Sequence, residues 1–320
     1  MAELNEDDGG GQSIVASIAD AGSACENHCE HMRLDSHQHF WKYSPTEHVW
    51  MTDAMAVLKR NFLPQELKPL LAENGFHGSI AVQARQSLEE TRWLLELAGQ
   101  YDFIKGVVGW VDLCAAELPL QLKYFAAHKR LVGVRHLVQD ETDDEFMMRA
   151  DFRRGIAQLA DFGLTYDLLL YPRHLPAAAK LVREFPDQRF VLDHIAKPAI
   201  AGGRIDDWER ELRALAKFQN VSCKLSGMVT EARWNRWQPG DFRPYLDVVF
   251  DAFGANRLMI GSDWPVCTLS ADYASAVCIV MNYIEGLAIE EREGVLGGNC
   301  ARVYGISVGA RAKGEESPGE

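Results

Sequence analysis

Nothing in the 320 residues approaches the roughly 18 consecutive apolar side chains that a membrane span needs. The beginning of the chain also lacks the basic-then-apolar pattern of a secretory leader. Neither a membrane protein nor a secreted one is expected. Positive charge is scarce on balance, with 33 Lys and Arg against 46 Asp and Glu and a net charge of −13. Much of that charge is local. Residues 1–31 hold seven acids and no Lys or Arg, and the tail from Ser307 nets −1, so the segment between carries only −5. No basic face emerges, which argues against a nucleic-acid partner. The seven cysteines are odd in number and scattered, several inside apolar runs such as "VSCKLSG" and "SAVCIVM". They form no disulfide framework and point to a reducing compartment, the cytoplasm. The sequence carries no signal of oligomeric state.

What is present is alternation. Residues 1–31 are acidic, rich in Gly and Ser and poor in large apolar groups, and are expected to form a disordered extension. Within them "CENHCEH" offers Cys and His without standard zinc spacing. Residues 307–320 read as a second tail. Between the tails, eight β-rich runs ("RLDSHQH", "GSIAVQA", "IKGVVGWVD", "LVGVRHL", "LTYDLLLY", "RFVLDHIA", "NVSCKLSG", "RLMIGSD") alternate with amphipathic stretches such as "SLEETRWLLELAGQY". Ser87 and Glu90 suggest a capping box, and Gly75 and Gly163 suggest helix C-caps. Alternation implies parallel pairing, and eight units over residues 32–306 predict a single-domain (β/α)8 TIM barrel. A doubly wound sheet is the alternative, but no Gly-rich turn follows an early strand.

Histidine is sparse, with ten in all, yet His37 and His39 stand two apart on the first strand. Side chains so spaced share a face. The sixth run places His194 at its tip and the eighth places Asp263, with Trp264 beside it. Gln83 ends the second run, Arg135 and His136 end the fourth, and the seventh carries Lys224 and Ser226. In a barrel these ends build the active site. His37, His39, His194 and Asp263 make a donor set for one divalent ion, zinc or manganese.

The ordered set "HQHFW", "VQA", "GVRH", "LDHIAKP", "KLSG", "GSDWPV" and "GNCARVYGI" resembles the amidohydrolase superfamily over Arg33 to Ile306, and within it the sugar-acid lactonase branch. The binuclear members of that superfamily carry a Lys on the fourth strand and a His on the fifth, and neither is present here. The resemblance therefore implies at most one ion, and leaves metal-free catalysis open.

It also implies hydrolysis of a sugar lactone to the aldonic acid. Asp263 would be the general base, with His194 in the catalytic set. Gln83, Arg135, His136 and Lys224 would meet substrate hydroxyls and the nascent carboxylate, and Trp41 and Trp264 would stack on the ring. A buried ion pair is the other reading of Arg135. Two other functions are weighed: a metal-dependent decarboxylase of the same superfamily and a non-catalytic small-molecule-binding barrel. "GISVG", Gly305 to Gly309, matches a hydrolase nucleophile motif, but no His follows it.

Overall fold

The computed structural model describes residues 32–307. The acidic extension, "CENHCEH" and the end of "GISVG" lie outside them; Gly305 itself ends a helix, not the strand that a nucleophile motif requires.

Eight strands form one parallel sheet in chain order: β1 Leu34–Gln38, β2 Gly78–Val82, β3 Ile104–Gly109, β4 Leu131–His136, β5 Thr165–Leu168, β6 Phe190–Leu192, β7 Val221–Leu225 and β8 Leu258–Ile260. Around them run α1 Pro64–Glu73, α2 Leu88–Gln100, α3 Leu118–Phe125, α4 Ala150–Leu159, α5 Leu175–Glu184, α6 Asp206–Ala216, the short α7 Met228–Glu231, α8 Arg243–Phe253, α9 Tyr273–Ile284, α10 Ile289–Glu293 and α11 Asn299–Tyr304. This is the (β/α)8 barrel that the alternation predicts, and a doubly wound sheet is ruled out because the first and last strands meet. Their seam is narrow: a bridge between Gln38 and Trp264, with the His39 N–H donating to the Trp264 carbonyl at 2.7 Å.

The helices pack by amphipathicity, α2 burying Leu94, Leu95, Leu97 and Ala98. Ser87 caps α2 as expected, its Oγ accepting the Glu90 N–H at 3.2 Å. The other half of the capping box is not made. The Glu90 carboxylate turns into the loop after β2 and accepts the N–H groups of Ala84 at 3.1 Å and Arg85 at 2.7 Å. Gly75 and Gly163 take left-handed φ at the ends of their helices.

An apolar cluster joins Leu34, Ile80, Val108, Val191 and Met259 to Ala301 and Tyr304, so α11 packs against strand side chains from around the barrel. β1 is irregular. Its register shifts between Asp35 and Gln38, and Asp35 reaches the Ser262 Oγ at 2.6 Å and the Tyr273 hydroxyl at 3.0 Å. Cys114, Cys223, Cys267, Cys278 and Cys300 are free. Among the described residues no helix is long and apolar enough to cross a membrane.

Candidate active site

The C-terminal strand ends surround a cavity of about 410 Å³. His37 and His39 converge at its floor, their Nε2 atoms 3.2 Å apart. His39 donates from Nδ1 to the Val82 carbonyl at 2.8 Å, which leaves the Nε2 lone pair aimed inward. The His37 and His194 rings lie 4.3 Å apart between centroids.

His194 does not cap a strand. β6 stops at Leu192, and His194, Ile195, Ala196 and Lys197 all take left-handed φ, between 47° and 59°. Each such non-glycine residue costs about 1–3 kcal/mol. The turn is held by Trp208 Nε1 donating to the Ile195 carbonyl at 2.8 Å and by a 2.9 Å contact from His194 Nδ1 to Ser226 Oγ. A glycine is required next door: a Cβ on Gly227 would lie 2.5 Å from His194 Nδ1.

Asp263 stands three residues beyond β8, also left-handed at φ 57°. Its Oδ1 lies 3.4 Å from His39 Nε2 and 3.8 Å from the Nε2 atoms of His37 and His194. Burial holds the His37 imidazole well below its usual pKa and pushes His194 down to about 4. Burial alone would raise the Asp263 carboxyl, but the His194, His39 and His37 rings pull it below the carboxylate range. At neutral pH the His37 and His194 imidazoles are therefore neutral and Asp263 is a carboxylate.

That composition fits one divalent cation. Tetrahedral zinc with N ligands at 2.0–2.1 Å sets ligands about 3.3 Å apart, and the 3.2 and 3.4 Å separations match it. His37, Asp193 and His194 also place ligand atoms near one another. Asp193, however, is committed to Arg135 Nη1 at 2.9 Å and Lys224 Nζ at 2.9 Å.

Beneath the cluster lies a buried ionic layer. Lys224 is fully enclosed and donates to Asp167 at 2.6 Å and Asp193 at 2.9 Å, with His37 Nδ1 at 3.2 Å. Tyr304, from α11, donates to Asp167 at 2.7 Å. Burial works against the Lys224 ammonium, but Asp167 and Asp193 raise its pKa, so it stays charged. Two cations, Lys224 and Arg135, thus answer two carboxylates.

Four residues expected to meet substrate sit outside the cavity lining. Lys224 is fully buried between two carboxylates and does not line the cavity. Gln83 is fully buried and its Oε1 accepts from Arg135 at 3.2 Å. His136 turns away to Glu141 at 2.7 Å and stacks on Phe146. Trp264 packs against Phe40 and Phe62 and does not line the cavity. Arg135 lines the mouth and also makes the ion pair with Asp193. Trp41 lines the mouth, pinned by its indole N–H to the Arg60 carbonyl at 2.8 Å. The sequence reading missed Asp193, Lys197, Tyr171, Glu231 and Trp234. Asp193 and Lys197 sit inside "LDHIAKP" beside His194, whereas Glu231 and Trp234 carry no motif.

Known proteins resemble the chain in sequence and fold. A sequence model described as Amidohydrolase matches residues 34–306. An L-fucono-1,5-lactonase of Burkholderia multivorans (strain ATCC 17616 / 249) is 43% identical over 293 residues, 88% of this chain and 99% of that protein. A second L-fucono-1,5-lactonase, from Burkholderia ambifaria, is 38% identical over 86% of this chain and 96% of its own length. A crystal structure of an amidohydrolase from Burkholderia multivorans with bound Zn superposes with a TM-score of 0.83 at 42% identity, covering 86% of this chain and all of that one.

Proposed function

The chain belongs to the amidohydrolase family, and from that membership and the geometry of the mouth we infer that it hydrolyses a sugar-acid lactone to the open aldonic acid. The carrying observation is the Asp263 carboxylate, set 3.4–3.8 Å from three imidazoles at the floor of a cavity of about 410 Å³. The Burkholderia relatives favour L-fucono-1,5-lactone as the substrate.

Water attacks the lactone carbonyl, the ring C–O bond breaks, and the ring oxygen departs with a proton. Asp263 fits the base: its nearest imidazole contacts all go to Oδ1, leaving Oδ2 to take the proton from water and return it to the ring oxygen. His37, His39, His194 and Asp263 would hold a divalent ion, zinc by analogy with the metal-bound relative, which would supply Lewis acidity and an acidified water. Asp193 and Lys224 fix the His37 ring from below. Trp41 and Trp50 wall the cavity.

The test is acid release from a panel of aldonolactones, with and without chelator. Turnover of L-fucono-1,5-lactone is expected. Carbon dioxide release from an aromatic acid, with no lactone turnover, would establish the decarboxylase instead.

A further inference from the structure

Two cations line the mouth, and they differ in commitment. Arg135 is paired with Asp193 at 2.9 Å and bonded to Gln83. Lys197 makes no ion pair with any described carboxylate within 4 Å; its ammonium lies 5.5 Å over the Tyr171 ring. It ends the left-handed run that begins at His194, and its N–H donates to the His194 carbonyl at 2.8 Å. The run contains no glycine and includes β-branched Ile195, so the chain sustains an unfavourable backbone that carries His194 and Lys197 to one cavity. Strain of this kind concentrates where side-chain placement matters. Glu231 lines the same mouth, and Lys197 counters the push that burial gives its carboxyl pKa.

The chemistry of lactone opening asks for such a cation. A neutral acyl oxygen gains negative charge as water adds, and the product keeps that charge as a carboxylate. It does so in a mouth that already holds the Asp263 and Glu231 carboxyl groups. A contact that strengthens as charge grows lowers the barrier more than it tightens substrate binding.

We propose that Lys197 is a catalytic residue that binds the lactone acyl oxygen as it becomes the product carboxylate. This rests on the lactonase reading above. The test compares inhibition by L-fuconate, which bears the carboxylate, with inhibition by neutral L-fucose, in wild type and in Lys197→Met. Methionine keeps the stem and removes the charge. Lys197→Asn, better suited to left-handed backbone, serves if the Met variant does not fold.

The inhibition constant for L-fuconate is expected to rise at least ~10-fold while that for L-fucose changes less than ~3-fold, and kcat/KM should fall ~10–100-fold, mainly in kcat. Parallel weakening of both inhibitors, or no change in either, overturns the assignment while leaving lactone hydrolysis intact. A wild type that turns over no aldonolactone overturns the lactonase reading itself, and this assignment with it.

Discussion

The backbone N–H of Asp263 donates to the carbonyl of His37 at 2.8 Å. The hydrogen bond that helps close the barrel therefore also sets the carboxylate against the imidazole, and the site and the seam are one structure.

Asp263→Asn should isolate the chemistry from the fold. Asn tolerates left-handed φ as well as Asp does, so the 57° backbone is no obstacle. The variant is expected to melt with wild type and to lose at least ~100-fold in kcat on a sugar lactone, with a smaller change in KM. A folded variant with near-native turnover would remove Asp263 as the base.

Metal content follows from the donor count. His37, His39 and Asp263 place ligand atoms together and His194 Nε2 lies 3.8 Å from Asp263, while Asp193 is spent on Arg135 and Lys224. Elemental analysis of protein dialysed against zinc should approach one ion per chain, and His39→Ala should lower it. Two ions held reproducibly in the mouth would contradict this donor count.

Lys224→Met distinguishes a counter-ion from a substrate contact. The variant leaves Asp167 and Asp193 enclosed with half their positive charge removed. The expected cost is about 3–5 kcal/mol in urea unfolding. A stable variant with only a raised KM would restore Lys224 to the substrate.

Glu90 gives the stability a pH signature. Burial pushes its carboxyl up to about 7, against the pull of the Arg85 and Ala84 N–H groups. The folded state therefore favours the protonated form. This contribution is whole below the unfolded value near 4.5 and is lost as pH rises through about 7. Glu90→Gln stays neutral throughout, so its stability relative to wild type should rise by up to about 3 kcal/mol between pH 4.5 and 8. Parallel stability curves for the two proteins would show that Glu90 ionises freely in the fold.

The barrel and its imidazoles were legible because they are local. Period-two spacing puts His37 and His39 on one side, and strand–helix alternation orders the rest. What was hidden depends on pairing across the barrel. Lys224 looked like a ligand contact because nothing in "VSCKLSG" reveals Asp167 and Asp193, 57 and 31 positions earlier, on either side of its ammonium. Gln83 and Arg135 likewise satisfy each other across neighbouring strand ends. The left-handed run at His194 to Lys197 has no glycine to announce it, since tertiary contacts and not residue preference hold it.

Tyr304 touches Asp167, Asp167 touches Lys224, and Lys224 touches His37. Read in the order of synthesis, that column runs backwards. The first functional histidine is made early, but its underpinning waits for residue 224 and then for residue 304. No nascent fragment that stops short of α11 holds the whole column.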